Sequence, residues 1–542
     1  MAVARTAGDA ARWLRPGPGL LRSWNMARRA AASLPIHLDL RAHGDLHEQI
    51  YRELRRAIVA RILRPETRIA SSRALAEDLG VSRTTTQLAL DKLQAEGYLV
   101  ARQGSGTYVA TALPDDALQV EPTSSQARGK PLAHGAAPEE AWALSRRGAA
   151  LATGSPAARR VAGPARAFRI GVPALELFPI ELWSQLSRRR VAAMTVRDLD
   201  YGQAPGLPVL REAIAEHMGA ARGARCEADQ VYIVGGAQRG LDFLCRVLLD
   251  AGTEAAVEEP GFPGAWSALA AAGARVVSVP VDDEGASVEA LASAPGVRLA
   301  YVTPSHQFPS GVPMSLARRR ALLAWAARTG AWIIEDDYDC EFRFGAQPVP
   351  CLQGLDAAGR VIYVGTFSKS LYPALRLGFV IAPPELHDRL VAARRALADP
   401  QPPFLEQAIV AAFIAEGHFA RHLRRMRAVY AERLEALMDA AARYCSGALA
   451  VRPARTGLHA VADVIGADAT RVFSQAMQRG VEVMPLSAYS RDPAHCDNAL
   501  VLGFGAVPPS GIEAGMQGLA EAIAAVQRSR ARAAADSMLH AG

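Results

Sequence analysis

Lysine is almost absent from this chain of 542 residues, because only three of its 61 basic residues are lysines and the others are arginines. Asparagine is rarer still, with two residues in the whole chain. The six cysteines are scattered without a Cys-X-X-Cys pair, which fits reduced thiols in the cytosol and predicts no metal site. No run of eighteen apolar residues occurs, so the sequence predicts a cytoplasmic protein without a membrane-spanning helix.

The three lysines differ in their surroundings. Lys92 and Lys130 have no distinguishing context, and chance explains them. Lys369 ends the segment Thr-Phe-Ser-Lys at 366–369, which follows a predicted buried strand at 360–365. In a chain with so little lysine, a lysine kept at an ordered strand end indicates chemistry that arginine cannot perform. Imine formation is the foremost such task.

The basic excess of the chain lies at its N-terminal end. The net charge is +7. Residues 1–35 contain six arginines and one aspartate, giving +5, and residues 36–111 contain eleven basic and nine acidic residues, giving +2. These two values add up to the whole net charge, so the remaining chain is neutral. The distribution predicts that a polyanion binds to the first fifth of the chain.

Changes in composition and periodicity divide the sequence into five segments. Two of them have the patterning of folded domains, and the other three lack periodicity. The segments are a disordered basic extension at 1–35, a small domain at 36–111, a flexible linker rich in Pro, Ala, Ser and Gly at 112–138, a large α/β domain at 139–528, and a disordered tail at 529–542.

The small domain has the pattern of three helices followed by a hairpin. The first helix is predicted from His47 to Leu63 by apolar residues at every fourth position, namely Ile50, Leu54, Ile58 and Ile62. A second helix is predicted over 72–79, ended by Gly80, and a third is capped by Ser82 and runs to about Glu96. Segments 98–102 and 107–109 flank a glycine-rich turn and predict a two-stranded hairpin. This order is typical of a winged helix-turn-helix.

Residues suited to binding double-stranded DNA occur at three places in this pattern: the start of the third helix, the start of the second helix, and the hairpin or wing. The candidates are Arg73, Ser82, Arg83, Thr84, Thr85, Arg102 and Gly104. On pattern alone, the alternative is a small helical cap whose threonine cluster is solvated surface.

Four stretches of the small domain carry a resemblance to a known family. They read Ile-Ala-Ser-Ser-Arg-Ala-Leu-Ala at 69–76, Leu-Gly-Val-Ser-Arg-Thr-Thr at 79–85, Glu-Gly-Tyr-Leu at 96–99 and Gly-Ser-Gly-Thr at 104–107. Residues 36–111 thereby resemble the GntR-type winged helix of bacterial regulators. Ala70 replaces the usual proline, Glu66 replaces a glycine, and residues 88–91 lack the usual aromatic residue. These departures concern loop stiffness and core packing rather than the contact residues.

The large domain alternates between strand and helix patterns, which predicts an α/β fold with a mostly parallel sheet. Strands are predicted at 230–234, 275–280, 298–303, 332–335 and 360–365, and helices begin at Gln238 and Leu316.

This domain also contains the groups that pyridoxal phosphate needs in a protein. An amine, a carboxylate at a strand end, a glycine-rich strand–helix junction with a nearby cation, and an aromatic ring are all present. The amine is Lys369, the carboxylate is Asp336, the junction is Gly236-Ala237-Gln238 with Arg376 as the nearby cation, and the aromatic ring is Phe262. Each feature alone has an ordinary explanation, such as a helix cap, a common α/β junction or a core aromatic residue. Their joint order indicates the cofactor.

That order resembles the fold-type I aminotransferases, and residues 36–525 together resemble the MocR/GabR family of GntR regulators. The most specific stretches are Tyr-Val-Thr-Pro-Ser-His-Gln-Phe-Pro at 301–309, Glu-Asp-Asp-Tyr-Asp at 335–339 and Gly-Thr-Phe-Ser-Lys at 365–369. The resemblance implies roles for seven residues: Lys369 as the imine lysine, Asp336 at the pyridine nitrogen, Tyr338 at the ring oxygen, Thr366, Ser368 and Arg376 at the phosphate, and Tyr201 at the phosphate of a partner subunit. Phe262 is the aromatic residue named above that could stack on the ring. The role of Tyr201 implies a homodimer.

Two positions depart from the pattern of active aminotransferases. The asparagine that usually bonds the ring oxygen is replaced by Phe308. The late strand that usually carries a carboxylate-binding arginine reads Leu-Val-Leu-Gly-Phe at 500–504. A buried carboxylate without a charged partner is strongly disfavoured. Either another arginine, such as Arg455 or Arg491, serves this purpose, or the ligand is not a plain amino acid.

Three functions are compatible with this sequence. The favoured one is a transcription regulator that binds an operator and senses a small amine or amino-acid effector through its aminotransferase-like domain. The alternative is an active aminotransferase that carries a DNA-binding module. The third is a DNA-binding protein with a vestigial second domain. The missing asparagine and arginine favour sensing over catalysis, and the retention of Lys369 argues against a vestigial domain.

Overall fold

The computed structural model describes residues 45–114, 144–152, 163–345, 349–397 and 402–540. The chain divides into two units, Met1–Pro138 and Glu139–Gly542. The predicted extension at 1–35 and most of the predicted linker at 112–138 lie outside the described residues.

The first unit consists of three helices and an antiparallel hairpin, as predicted. Its elements are α1 Leu46–Val59, α2 Ser72–Leu79, α3 Arg83–Ala95, β1 Leu99–Arg102 and β2 Gly106–Val109. Serine side chains cap two helices: Ser71 accepts a hydrogen bond from the Ala74 N–H (3.3 Å), and Ser82 accepts one from the Thr85 N–H (3.1 Å). Gly80 ends α2 with φ 66°, a left-handed conformation that glycine adopts without strain.

The apolar stripe of α1 ends earlier than the sequence pattern predicts. Ile50, Leu54 and Ile58 are buried in the core of the first unit, but Ile62 is 66 % exposed. The helix ends at Val59, and Arg61 adopts a positive φ of 57°. The helical period therefore no longer applies beyond this point, and the chain buries Leu63 (4 % exposed) instead of Ile62. The prediction that the first helix continues to Leu63, with Ile62 in its apolar stripe, was wrong.

The second unit is built around an eight-stranded sheet in the order β3-β10-β9-β8-β7-β4-β5-β6. Strands β4, β5, β7, β8 and β9 pair in parallel, while β3, β6 and β10 pair antiparallel to their neighbours. The mostly parallel α/β sheet is thus confirmed. The strand bounds are β3 Val231–Val234, β4 Glu254–Glu259, β5 Arg275–Asp282, β6 Gly285–Ala286, β7 Val297–Val302, β8 Trp332–Asp337, β9 Val361–Thr366 and β10 Gly378–Ile381.

A second sheet of four antiparallel strands, in the order β11-β12-β14-β13, follows later in the chain. The sequence pattern did not predict it. Its strands are β11 Leu449–Val451, β12 His459–Val464, β13 Met484–Pro485 and β14 Ala499–Gly503. Two of these strands have only two or three residues, too few to show a period.

Thirteen helices are described in the second unit, and those beside the large sheet bury both of its faces, since every residue of β3, β9 and β10 is buried. The helices are α4 Arg146–Ala152, α5 Ile180–Ala192, α6 Pro208–Arg222, α7 Ala237–Leu248, α8 Pro263–Ala272, α9 Val288–Ala292, α10 Leu316–Thr329, α11 Leu352–Leu355, α12 His387–Ala396, α13 Phe404–Ala415, α14 His418–Tyr444, α15 Ala469–Gln478 and α16 Pro509–His540.

The C-terminal segment differs from the predicted disordered tail at 529–542. Helix α16 continues through residue 529 to His540. The physical reason is composition, because alanine and arginine, both strong helix formers, dominate residues 528–535. Over the described part of the chain, no helix combines the length and apolar character needed to cross a membrane.

The different environments of Ile62 and Leu63 give a matched pair of variants. We expect Leu63→Ala to destabilise the first unit by about 2–4 kcal/mol, because it leaves a cavity in the core. Ile62→Ala should change stability by no more than about 0.5 kcal/mol, since this side chain is exposed. Amide hydrogen exchange across α1 in the full-length protein measures both effects. Equal acceleration of exchange in the two variants would contradict the described end of α1.

Candidate functional site

The neighbouring strands β8 and β9 bring the principal candidates of the large domain together. They pair in parallel, with Asp336 opposite Val364 and Asp337 opposite Gly365. The segments that follow both strands therefore leave the same edge of the sheet. In open α/β sheets, ligands bind beyond the carboxyl ends of the strands. This register places Asp336 and Lys369 on the same side of the unit.

Asp336 is buried and only half satisfied by hydrogen bonds. The Tyr301 hydroxyl donates to one of its carboxylate oxygens (2.7 Å), while the other oxygen, Oδ1, has no hydrogen-bond partner among the described residues. Burial raises the pKa of Asp336 to about 7, against the lowering effect of the Tyr301 hydrogen bond. A buried carboxylate oxygen without a partner is costly, and a ligand N–H would satisfy it.

The adjacent carboxylate has a different environment. Arg222 donates two hydrogen bonds to Asp337 (2.6 and 2.9 Å), and the Tyr363 hydroxyl donates a third (2.9 Å). Asp337 therefore has an internal cation, and all three hydrogen bonds reach its Oδ2. Of the two neighbouring aspartates, only Asp336 retains an unpaired acceptor atom for a ligand.

The Lys369 amine lies against the backbone of a segment that is distant in sequence. Its Nζ donates to the carbonyl oxygen of Gly171 (2.5 Å). Gly171 has φ 73°, and a Cβ at this position would lie 2.8 Å from Nζ. The conformation favours glycine here, and a Cβ would have to displace the Lys369 amine. Gly171 is a contact that the sequence pattern did not reveal.

Backbone groups and hydroxyls form a concave corner at the start of α7. Helix α7 begins at Ala237, directly after Gly236, and a Cβ on Gly378 would lie 3.1 Å from the Ala237 nitrogen and 2.7 Å from the Gly365 carbonyl oxygen. The ends of β3 and β9 thus meet the start of β10 at a helix N-terminus. The N–H groups in the first turn of a helix have no internal acceptor and suit a phosphate group.

Other predicted phosphate ligands lie around the same corner. The Thr366 hydroxyl donates to the Ser368 hydroxyl (3.0 Å), and Arg376 is exposed with φ 51°. The Gln238 side chain instead donates to the Gly264 carbonyl oxygen (2.9 Å), so this residue offers its backbone N–H rather than its amide group. Two hydroxyls, a cation and helical N–H groups are the donor set that a phosphate monoester requires.

Aromatic side chains surround Asp336 on one side. The Phe262 ring stacks on the Tyr301 ring with 6.4 Å between centroids, and it meets the Phe308 ring edge-on at 5.8 Å. Phe262 is half-buried, so part of its ring surface remains available. Phe308 also meets the Tyr338 ring edge-on at 5.8 Å.

Tyr338 belongs to a buried network that the sequence pattern did not reveal. Its hydroxyl lies 3.0 Å from Nδ1 of His306, and the same nitrogen lies 3.0 Å from a carboxylate oxygen of Asp339. The His459 ring packs on the His306 ring (4.6 Å between centroids) and bonds the Pro309 carbonyl oxygen through Nε2 (3.1 Å). Tyr301 and His306 both lie in the stretch at 301–309 that carries the family resemblance, but pattern alone did not assign them roles.

This group of residues fits pyridoxal phosphate. The unpaired Asp336 oxygen matches a protonated pyridine nitrogen, Lys369 provides the amine, and the corner at α7 matches the phosphate. The residue expected from a partner subunit, Tyr201, is 96 % exposed, and Val196 and Leu199 nearby are 85 % and 73 % exposed. Tyr201 is therefore not buried in the site of its own chain.

The candidate DNA contacts lie on the surface of the first unit. Ser82, Arg83 and Thr84 are exposed at the start of α3, and Thr85 is half-buried, its hydroxyl 2.8 Å from that of Ser82. Arg73 forms an exposed ion pair with Glu77 (3.2 Å). These side chains form one polar and cationic surface around the start of the recognition helix.

The wing contains a contact that follows from a departure noted in the sequence. Arg102 pairs with Glu66 (2.5 Å) and packs over the Tyr108 ring, while Gly104 occupies the turn with φ 74°. The Arg102 hydrogen bond lowers the pKa of Glu66. Glu66 itself has φ 66°, which explains why a glycine is usual at this position. Arg102 must exchange its Glu66 partner for a phosphate if it binds DNA.

Comparisons with known families cover both units. The profile described as bacterial regulatory proteins, gntR family, matches residues 46–109, and the profile described as aminotransferase class I and II matches residues 171–495.

Two regulators align with this chain along most of the length of both proteins. The chain is 41 % identical over 500 residues to the probable rhizopine catabolism regulatory protein MocR of Rhizobium meliloti, covering 91 % of this chain and 97 % of that protein. It is 32 % identical to the pyridoxine biosynthesis transcriptional regulator PdxR of Corynebacterium glutamicum, covering 88 % and 95 %. Among solved structures, LysN of Thermus thermophilus, an α-aminoadipate aminotransferase in complex with N-(5′-phosphopyridoxyl)-L-leucine, superposes with a TM-score of 0.62 at 29 % identity, covering 72 % of this chain and 99 % of LysN.

The exposed position of Arg83 generates a prediction for DNA binding. We expect Arg83→Ala to weaken operator binding by about 1–3 kcal/mol at fixed salt, because one charge-assisted contact is lost. Arg246→Ala is the control, since it removes one half-exposed arginine from the second unit. Fluorescence anisotropy with labelled operator DNA measures both affinities. An unchanged affinity in Arg83→Ala would show that the start of α3 does not face the DNA.

Proposed function

The chain belongs to the MocR-type GntR family of transcriptional regulators, and from this premise we propose that it holds pyridoxal phosphate at Lys369 and regulates operator binding in response to an amine or amino-acid effector. The observation that carries the proposal is the buried, half-satisfied Asp336 on the same side of the sheet as Lys369, in a chain with only three lysines. Because a bacterial operator lies in the cytoplasm, we propose that the protein is cytoplasmic.

Each residue of the site has a part in this proposal. Asp336 would hold a proton at the pyridine nitrogen, Tyr338 would donate to the ring oxygen, and Phe262 would cover one face of the ring. The phosphate would lie in the corner formed by Gly236, Ala237, Gln238, Thr366, Ser368 and Arg376. When bound, pyridoxal phosphate supplies a carbonyl carbon at which one amine can replace another without a change in oxidation state.

We propose that the working form is a homodimer. Tyr201 is almost fully exposed together with the apolar Val196 and Leu199, and such a surface favours burial against another protein. A second copy of the chain would cover this surface. Tyr201 would then lie at the corner of that second copy, at the start of its α7, where the phosphate is proposed to bind. Two copies also provide the two winged helices that a symmetric operator requires.

Sensing is favoured over catalysis by what surrounds Tyr338. A phenylalanine occupies the position of the usual ring-oxygen asparagine, and His306 is the group that contacts the Tyr338 hydroxyl. The competing function, transamination, is supported by the retention of Lys369, Asp336 and Tyr338 and by the similarity to LysN. The two functions differ in whether an amine donor is consumed.

The raised pKa of Asp336 predicts how cofactor binding depends on pH. Without the cofactor, Asp336 stays protonated in the folded protein up to about pH 7, whereas it ionises near the ordinary aspartate pKa in the unfolded chain, which costs stability as the pH rises between these values. A positively charged ring nitrogen removes this cost. The gain in Tm on adding pyridoxal phosphate should therefore increase between about pH 5 and pH 7.

The control for this pH effect is Asp336→Asn, which keeps the size of the side chain and cannot ionise. Imine formation by Lys369 also varies with pH, but it does so in both proteins. The difference between the wild-type and Asp336→Asn profiles therefore isolates the carboxylate. Parallel profiles would contradict a contact between Asp336 and the ring nitrogen.

Lys369→Ala tests the sensing function. We expect the wild-type protein to absorb near roughly 420 nm and Lys369→Ala to lose this band. The variant should also lose effector-dependent changes in operator affinity, typically about 1–3 kcal/mol, while basal affinity stays within several-fold of wild type. Rapid turnover of amino donors and keto acids by the wild type, without any change in operator affinity, would instead support the aminotransferase function.

A further inference from the structure

Strand β14 lies directly behind the segment that touches the Lys369 amine. The Gly503 N–H donates to the Phe168 carbonyl oxygen (3.0 Å), and a Cβ on Gly503 would lie 2.3 Å from the Arg169 carbonyl oxygen. Two residues further along, the Gly171 carbonyl accepts from Lys369. An amine that takes the place of the Lys369 amine must put its carbon substituents close to Gly171, and so towards the surroundings of β14.

Those surroundings are apolar. Val501 in the middle of β14 is fully buried and pairs with Val461 of β12 and Met484 of β13. Ile170 and Phe308 pack against the same cluster. Ile170 precedes Gly171, and Phe308 contacts the Tyr338 and Phe262 rings. The cluster therefore reaches the candidate site from two sides, and Val501 lies on the strand where aminotransferases usually carry the arginine for a substrate carboxylate.

The described arginines in this part of the unit either pair with carboxylates or are exposed. Arg169 forms a bidentate pair with Glu482, and Arg222 donates twice to one carboxylate oxygen of Asp337. Arg491 is exposed and donates to the Val276 carbonyl oxygen (3.1 Å). Arg455 is also exposed. Lys369 interacts electrostatically with the buried Asp336 and His459. Burial together with the neighbouring His306 lowers the pKa of His459 to about 3, so that this imidazole is neutral.

From this arrangement we infer that the effector is an amine without a carboxylate on its amino-bearing carbon, with an uncharged substituent in that place. The inference rests on the proposed function of the site. A carboxylate in this place would be desolvated against Val501 and Phe308 and close to the charge of Asp336, while Arg169 is already paired with Glu482 and Arg455 and Arg491 are exposed. An uncharged substituent avoids both penalties.

Matched ligand pairs test the inference on the full-length, cofactor-loaded wild-type protein. L-leucine is compared with 3-methylbutylamine, and L-phenylalanine with 2-phenylethylamine, because the members of each pair differ only in the carboxylate. Apparent Kd values come from the change in cofactor absorbance at fixed pH, corrected for the unprotonated fraction of each ligand. We expect each amine to bind at least about tenfold more tightly than its amino acid, and only the amines to alter operator affinity.

A substitution at the same place provides the reciprocal test. Val501→Arg should shift the preference in each pair towards the amino acid, because it supplies a cation from β14. Val501→Met, of comparable length without charge, should leave the preference for the amine unchanged. Since position 501 is fully buried, folding of both variants is checked by their absorbance band and thermal unfolding. The ligand comparison on the wild-type protein stands independently of these variants.

The outcomes separate the inference from the function on which it rests. Amino acids that bind as tightly as their matched amines would overturn the inference and leave the sensing function intact. Arg455→Ala and Arg491→Ala would then show whether either arginine supplies the cation. A yellow protein whose absorbance and operator affinity respond to none of the four ligands would overturn the inference as well. A protein that never acquires the band near roughly 420 nm would overturn the proposed function itself.

Discussion

The parallel pairing of β8 with β9 places a carboxylate that lacks one hydrogen-bond partner on the same side of the sheet as the amine of Lys369. Asp336 lies within the sheet, where water cannot reach it, and Tyr301 satisfies only one of its two oxygens. The rest of the site is arranged around this constraint. Arg222 and Tyr363 hold Asp337 so that it does not compete for the same ligand, and Gly171 leaves room for the amine. A group with an N–H opposite Asp336 relieves the unsatisfied acceptor, and for that reason ligand binding and stability are coupled at this residue.

The residues at strand ends were predictable from the sequence because the carboxyl ends of parallel strands meet at one edge of the sheet. Their position does not depend on side-chain packing. Lys369 and Asp336 each follow a short apolar run, and parallel strands bring such ends to one edge. Tyr301 and His306 were not predictable in the same way. Their importance comes from hydrogen bonds to Asp336 and Tyr338, which lie more than thirty residues away, and no local period encodes such contacts.

The same distinction explains the errors in the fold. The pattern of α1 was extended to Ile62 because a four-residue spacing continued in the sequence, but a single positive φ at Arg61 ended the helix and exchanged the buried residue for Leu63. The four-stranded sheet was missed because β11 and β13 are too short to show alternation, and they are held by pairing with β12 and β14. In both cases the backbone conformation or strand pairing, which the local sequence pattern does not encode, decided which residues were buried.

A regulator and an enzyme place opposite demands on a site of this kind. A ligand changes an equilibrium between two DNA-binding states only while it stays bound, and only by its difference in affinity for the two states. An efficient aminotransferase would consume the ligand and so end its own signal. In the proposed regulator, Phe308 and the lack of an arginine on β14 would remove groups that stabilise a transition state, while Lys369, Asp336 and the corner at the start of α7 would remain for binding. Under this proposal the apolar contacts of Phe308 with Tyr338 and with the cluster around Val501 would have a second consequence, because the replacements that weaken turnover would also form the surface that selects the ligand.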